Sequence, residues 1–460
     1  MAQTSPKATS PKTLSFTRRD ALRAAAAAAV LASCKAAAGP SVAEAASATV
    51  ANVVPNPTLR DACRAAGILH GAARDHLIEP EDPMLDTLMA RECDVVTPEN
   101  GGKWAVFQPQ EGNFDWGRFD AGVELARRIG AKPNWHCALW QHMGMPDYMT
   151  LPASRQRALG IGESAYFSAD GTLSEDNYWP RFTAMVAAVK QRYGDSFYRI
   201  DVMNEAFFWE TERSHPQEQD RYGFRKGMWW VVAGGAKGPD WLDPFFHHIR
   251  KEFPSAKLVI NEFGIEIDEG WQQRKRAYFQ TWLTDAVKRG VPIDGVGLQS
   301  HLMAGKPYDR EGMKGFLRAM DRLGLPIHVT EFDVNEKHLP RSWSRAEKDR
   351  AMAFLAGQYL GDIAGNARLA ELCWWHLRSD LNYISREMPE LKPHPSPTTR
   401  RRARCRCTRR RCRRCAGATG RGEASRGEAD RGESVRQVAR YLFRPRYPAR
   451  SRGPLRRPRL

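Results

Sequence analysis

The chain has 460 residues and a formal charge of +17, a balance that ordinarily directs attention to nucleic acid or an anionic surface. The charge is unevenly placed: residues 396–460 hold 22 Arg against four acids, net +18, which leaves residues 1–395 at net −1. A nearly neutral body sets nucleic acid aside as an expected partner. The length allows one α/β barrel of about 250–350 residues with extensions.

Residues 1–48 read as an export signal. Arg18-Arg19 follows Ser15-Phe16-Thr17 and precedes an apolar run from Ala24 to Ala32, too short to cross a bilayer as a stable helix. A twin arginine ahead of an Ala-rich stretch resembles a Tat leader, the route for proteins exported already folded. Cleavage after Ala45 or Ala48 fits a small-x-small pattern and gives a secreted or periplasmic protein. Leu31-Ala32-Ser33-Cys34 resembles a lipoprotein box instead, which would leave a lipid anchor at Cys34 on the cell envelope. A cytoplasmic Ala-rich helix is the third reading. Nothing else in the chain reads as a membrane span. Cys63, Cys93, Cys137 and Cys373 lack metal-ligand spacing and read as small buried thiols. Export permits a disulfide without demanding one.

From residue 55 to 385 strand and helix alternate. Strands are expected at Ile68–Gly71, Cys93–Thr97, Pro133–His136, Tyr198–Met203, Leu258–Ile260, Val296–Gln299, Pro326–Thr330 and Leu372–Trp375. Between them, Phe119 to Ile129 carries apolar residues at helical spacing and ends at Gly130, a C-cap signal. Further helices are expected at Gln273–Arg289 and Arg345–Leu360. Eight strands with helical crossovers make the pattern of an α/β fold, a (β/α)8 TIM barrel, spanning a catalytic domain over residues 49–390.

Two of these strands end in glutamate. Asp201-Val202-Met203-Asn204-Glu205-Ala206 and Ile327-His328-Val329-Thr330-Glu331-Phe332-Asp333 each have a β-branched approach to a carboxylate. An unpaired buried charge is strongly unfavourable, so a strand that merely fills a core is a poor place for one. Paired carboxylates at the mouth of a parallel barrel are the machinery of glycoside hydrolysis. Around them Glu99, Asn100, His136, Asn204, Asn261, Gln299 and His301 also fall at or just past strand C-termini. Singly, each has a bland reading: a lone His after a strand is usually a satisfied core or surface residue, and Trp140, Trp374 and Trp375 would more often be core than sugar platforms. Together they face one rim, where chance would scatter them over both ends.

The residues then carry a resemblance. Thr97-Pro98-Glu99-Asn100 with Lys103-Trp104, Asp201 to Ala206, Asp294 to His301, and Thr330-Glu331-Phe332-Asp333 stand in order. They resemble the motifs of glycoside hydrolase family 10, the retaining endo-β-1,4-xylanases, over about residues 55–385. The resemblance implies a polysaccharide substrate, xylan, and no metal or organic cofactor. It makes Glu205 the general acid/base and Glu331 the nucleophile. Glu205 is expected to hold a raised pKa, through burial or the second carboxylate. Asn204 would bind a sugar 2-OH, and His301 would orient Glu331 with Gln299 alongside. Glu99, Asn100 and Lys103 would grip sugars on the non-reducing side. His136 and Trp140 would close the cleaved sugar's pocket, and Trp375, with or without Trp374, would offer an apolar face. Gln141 stands where the family has His, with His142 beside it, and Asn261-Glu262-Phe263-Gly264 replaces Asn-Asp-Tyr-Asn. A related barrel glycosidase on another β-linked polymer is the alternative activity, and an inactive carbohydrate-binding remnant the alternative class. A monomer is expected.

Beyond Pro395 the composition turns abruptly to Arg, Ala, Gly, Pro and Cys, with Cys405, Cys407, Cys412 and Cys415 inside an arginine run and a pentad repeating from Arg421, Arg426 and Arg431. Residues 391–460 read as a frame-shifted segment, a disordered basic tail, or, with poorer spacing, a zinc site. No amphipathic helix is visible to complete the barrel, so the last helix is expected to be missing or altered.

Overall fold

The computed structural model describes residues 58–75, 82–140, 144–159, 171–208, 222–382, 384–385 and 396. The export signal, Cys34, Gln141, His142, the position of the last barrel helix and the Arg-rich tail lie outside these residues.

Ten strands run in chain order: β1 Leu69–Arg74, β2 Val95–Pro98, β3 Lys132–Trp135, β4 Leu139–Trp140, β5 Arg199–Asn204, β6 Lys257–Glu262, β7 Gly295–Leu298, β8 His301–Met303, β9 Ile327–Asn335 and β10 Leu369–Trp374. Eight of them pair in parallel as β1-β2-β3-β5-β6-β7-β9-β10, and β10 returns to β1. The expected (β/α)8 barrel is therefore closed. The two short strands are rim extensions: β4 rejoins β5 at Trp140↔Asn204, and β8 lies on β9 at His301↔Asp333. That second pairing explains why β9 runs to Asn335, past the expected end at Thr330. Its backbone groups find partners in β8 above the barrel proper.

Helices pack outside: α1 Leu59–Ala65, α2 Pro83–Glu92, α3 Gly117–Arg128, α4 Tyr178–Tyr193, α5 Asp243–Glu252, α6 Gly270–Lys288, α7 Arg310–Arg322 and α8 Arg345–Asn366. Each buries one stripe. In α7, Met313, Phe316, Leu317 and Met320 recur at i, i+3, i+4 and i+7 and are all buried. The helix begins where Asp309 accepts from the Gly312 amide. A capping box starts α8: the Ser344 hydroxyl accepts from the Glu347 amide while the Glu347 carboxylate accepts from the Ser344 amide. Cys63, Cys93, Cys137 and Cys373 are free, buried thiols.

Inside the barrel the filling is partly ionic. Arg199 Nε donates to Glu371 Oε2 at 2.9 Å, and its Nη1 donates to Asp201 Oδ1. Asn134 Nδ2 donates to Glu371 Oε1 at 2.8 Å, and His328 Nδ1 lies 2.9 Å from Glu371 Oε2. His136 Nδ1 lies 2.8 Å from Asp201 Oδ2. Period-two alternation brings these side chains inward from β3, β5, β9 and β10. Burial alone would raise the two carboxyls, but Arg199 and the adjacent imidazoles hold Asp201 and Glu371 below the ordinary carboxylate range. A buried charge is tolerated when paired in this way.

Candidate active site

At the end of β5 the backbone changes hand. Glu205 has φ 56°, the left-handed region, which costs an L-residue about 1–2 kcal/mol. Its amide still donates to Asn261 O at 2.9 Å, so the β5–β6 ladder is kept while the side chain turns to the rim. Such strain persists where the surrounding structure fixes it, commonly at functional sites.

Register then sets the neighbours. Asn204 lies beside Asn261 across β5 and β6, and Asn261 lies beside Gly297 on β7. A Cβ at Gly297 would sit 2.7 Å from Asn261 Oδ1, so glycine there admits the Asn261 side chain. Thr330 Oγ1 donates to Asn261 Oδ1 at 2.7 Å, which leaves Nδ2 to donate to Asn204 Oδ1 at 2.9 Å and to Glu331 Oε1 at 2.8 Å. Gln299 Nε2 donates to Asn204 Oδ1 at 3.2 Å and to Glu205 Oε1 at 3.0 Å. An unbroken chain of amides, Asn261, Asn204 and Gln299, thus links Glu331 to Glu205.

The two carboxylates have different company. Glu331 Oε2 lies 3.3 Å from His301 Nε2, and His301 Nδ1 lies 3.0 Å from Asp333 Oδ1. Asn382 Nδ2 donates to Asp333 Oδ2 at 3.1 Å. Burial disfavours the imidazolium of His301, yet Asp333 and Glu331 on either side outweigh it and raise its pKa well above the ordinary value. Glu205 instead meets a guanidinium: Arg225 Nη1 is 3.2 Å from Glu205 Oε2 and 3.4 Å from its carbonyl. Arg225 is anchored by a short antiparallel ribbon. Its amide donates to Ala206 O at 2.8 Å, and Phe207 bridges and stacks on Phe224 at 5.0 Å. Behind this ribbon Lys275 Nζ pairs with Glu262 Oε1 at 2.7 Å, both fully buried.

These cations correct one expectation. Burial alone would raise the Glu205 carboxyl, but Arg225, the Gln299 amide and the Lys275 ammonium prevail and hold it below the ordinary glutamate value. The expected raised pKa is not found in the free protein, because the Arg225 guanidinium 3.2 Å away stabilises the anion.

The remaining expected residues take these places. Asn100 Nδ2 donates to Asp75 Oδ2 at 2.6 Å and its Oδ1 accepts from Lys103 Nζ at 2.6 Å. Lys103 Nζ also lies 5.0 Å from the Trp140 ring centroid. Glu99 Oε2 is 2.7 Å from His376 Nε2. His136, besides holding Asp201, is 4.0 Å from Glu331 Oε1. The Trp375 ring stands edge-on to His136 at 5.5 Å and to His301 at 6.4 Å. Trp374, offered as a second sugar platform, is core: its Nε1 donates to His70 Nε2 at 3.1 Å and its ring packs edge-on against Phe332 at 4.9 Å. Adjacent strand residues face opposite ways, so only Trp375 reaches the site.

Sequence reasoning missed Arg225, His376, the linking role of Asn261 and the hold of Asp333 on His301, although Asp333 stood within the Thr330-Glu331-Phe332-Asp333 motif. Asp333 had a signal, since it follows Glu331 by two and shares its face of β9. Arg225 had none: twenty residues and an intervening segment separate it from its partner. Among the described residues no group of three or more His, Cys, Asp and Glu side chains could hold a metal ion, and no helix is long and apolar enough to cross a membrane.

Known proteins resemble this chain in sequence and fold. The chain is 29% identical over 249 residues to the endo-1,4-beta-xylanase A of Halalkalibacterium halodurans, covering 54% of this chain and 56% of that protein. It is 23% identical over 320 residues to the endo-1,4-beta-xylanase A of Caldicellulosiruptor sp. (strain Rt8B.4), covering 67% and 42%. The chain thus spans about half the length of these curated relatives. In fold it is similar to the solved structure of TsXylA, an intracellular xylanase from Thermoanaerobacterium saccharolyticum, with a TM-score of 0.59 at 23% identity over 76% of this chain and 96% of that one. The family model for glycosyl hydrolase family 10 matches residues 58–394, a span that takes in every barrel strand and both rim glutamates. The chain belongs to glycosyl hydrolase family 10.

Proposed function

We propose that the protein is a retaining endo-β-1,4-xylanase in which Glu331 is the nucleophile and Glu205 the general acid/base. The observation that carries the proposal is the pair of glutamates, one just after β5 and one on β9, joined by the Asn261–Asn204–Gln299 amides. In the first step the Glu205 proton passes to the glycosidic oxygen, the bond from that oxygen to the anomeric carbon breaks, and a Glu331 oxygen bonds to that carbon. In the second, the Glu205 carboxylate takes a proton from water, whose oxygen attacks the anomeric carbon and releases Glu331.

The roles follow from the different surroundings. A nucleophile must be anionic, and Glu331 has the Asn261 amide on one oxygen and a cation-prone His301 near the other. His301 is in turn oriented by Asp333, so the imidazole stays aimed at Glu331. Glu205 must exchange a proton, and Arg225 and Gln299 keep its anion stable for the second step. The first step then depends on the protonated fraction left to it. Asn204 turns its oxygen to the amide chain, while its Nδ2 lies 3.4 Å from Glu205 Oε1, a position beside the acid/base that suits it to a sugar 2-OH. Glu99, Asn100 and Lys103 would bind sugars on the non-reducing side, His136 and Trp140 the cleaved sugar, and Trp375 a pyranose face. Xylan as substrate rests on the activities named for the relatives.

Residues 1–48 are proposed to export the folded enzyme to the periplasm or medium, on the strength of Arg18-Arg19 and the Ala-rich run. The activity is tested by reducing-sugar release from β-1,4-xylan, β-mannan and cellulose. Preferential release from xylan is expected. Preference for another polymer would replace the substrate, and binding without release from any of them would replace the enzyme by a carbohydrate-binding protein.

A further inference from the structure

The residue after the site's tryptophan is conformationally out of place. His376 has φ 81°, a left-handed backbone that glycine adopts freely and a Cβ opposes. Its neighbours impose this conformation. The Trp375 amide donates to Phe332 O at 3.1 Å, and Trp375 O accepts from Asn382 Nδ2 at 2.5 Å, with Asn382 itself held on Asp333. Trp375 is thereby pinned with its ring between His136 and His301, and the chain must turn sharply at the next residue.

A glycine would make that turn without strain, yet the position carries an imidazole that is only 1% exposed. The ring is used: Nε2 lies 2.7 Å from Glu99 Oε2. The contact crosses over β1, since His376 follows β10, Glu99 follows β2, and β1 lies between them. It also adjoins the Asp75–Asn100–Lys103 series at the ends of β1 and β2. Strain retained at a buried position whose imidazole lies 2.7 Å from a carboxylate points to that contact as its purpose.

We propose that His376 is a positioning residue for oligosaccharide binding. Its ring holds Glu99 Oε2 and so fixes the Glu99 carboxylate toward the hydroxyls of a sugar on the non-reducing side of the cleaved one. This rests on the proposed glycosidase activity and on Glu99 as a sugar contact. A mobile carboxylate would lose rotamer freedom on each binding event, whereas a held one has already lost it. The benefit therefore falls on substrates long enough to reach Glu99.

The test compares aryl β-xyloside, which offers one sugar on the non-reducing side, with aryl β-xylobioside, which offers two. For His376→Gly, kcat/KM should fall roughly tenfold more on the xylobioside than on the xyloside, with the extra loss in KM, as expected for one charge-assisted contact. His376→Gln, which keeps an N–H donor, should recover most of that difference. Should the glycine variant fail to fold, His376→Asn takes its place, since Asn tolerates the left-handed conformation but is too short to reach Glu99. Equal losses on both substrates, no loss on either, or a glutamine variant no better than glycine would overturn the inference while leaving the glycosidase intact. A wild type inactive on every β-1,4-linked glycan would overturn both.

Discussion

Two clusters of buried charge lie one above the other in the barrel, and they are resolved in opposite ways. In the interior, Asp201 and Glu371 share Arg199 and are closed off by His328 and Asn134 from the strands and by His136 just after β3. At the rim, Glu331 and Glu205 are linked through neutral amides. Among the described residues, His301 is the cation-prone neighbour of one within 3.5 Å and Arg225 the cation beside the other. The interior cluster satisfies its carboxylates with one another's partners and leaves no reaction to perform. The rim cluster presents its carboxylates to the mouth of the barrel, where a substrate can enter. Burial of charge is therefore not what marks the site; the siting of that charge at the rim is.

The comparison can be broken at several places. Glu331→Gln should abolish turnover by a factor on the order of 10⁴–10⁶ in kcat, as expected for a lost nucleophile, with little change in thermal midpoint. A comparable loss of stability would put Glu331 with the interior cluster. Glu371→Ala should do the reverse. It leaves Arg199 with less compensation and should cost about 3–5 kcal/mol in denaturant unfolding. Because Asp201 and Glu371 lie below their unfolded pKa values, their contribution is present above about pH 4 and is lost as pH falls through the folded values. Removing Glu371 should accordingly flatten the acid side of the stability profile, and an unchanged acid slope would count against the ionic pairing.

Arg225→Met distinguishes the clusters by pH. Arg225 holds Glu205 low, so its removal should raise the Glu205 pKa and extend its protonated form to higher pH. The alkaline limb of kcat/KM should move upward by about 1–3 pH units, the range for one adjacent opposite charge. An alkaline limb that stays in place while activity falls would make Arg225 structural only. The smallest effect lies at a helix cap that touches neither cluster's carboxylates: Ser344→Ala removes the cap of α8 and should cost about 1 kcal/mol with no change in either pH limb.

Much of this was legible in the sequence because the strands announce themselves. β-branched runs ending in polar residues gave eight strands close to their observed positions, and the two rim glutamates stand just past the expected ends of two of them. Where pattern sufficed the match is close, as at β5, expected to begin at Tyr198 and found from Arg199. What was not legible depends on contacts between distant segments. The Arg225 ribbon reverses the expected shift at Glu205, and no spacing rule joins the two. Trp374 and Trp375 could not be told apart by type, only by the alternation of β10. His376 looked like an ordinary residue because its backbone hand is set by Phe332 on a neighbouring strand and by the side chain of Asn382 in the segment that follows.

The most direct test of the central claim is to trap the intermediate. In Glu205→Ala, an aryl β-xylobioside has a leaving group that needs no proton, so the first step proceeds and the second stalls for want of a base. Intact mass followed by peptide mapping should then show one added xylobiosyl group on the peptide that contains Glu331. Label on any other residue, or release of the inverted anomer from xylan by the wild type, would contradict the assignment of Glu331 as nucleophile and Glu205 as acid/base.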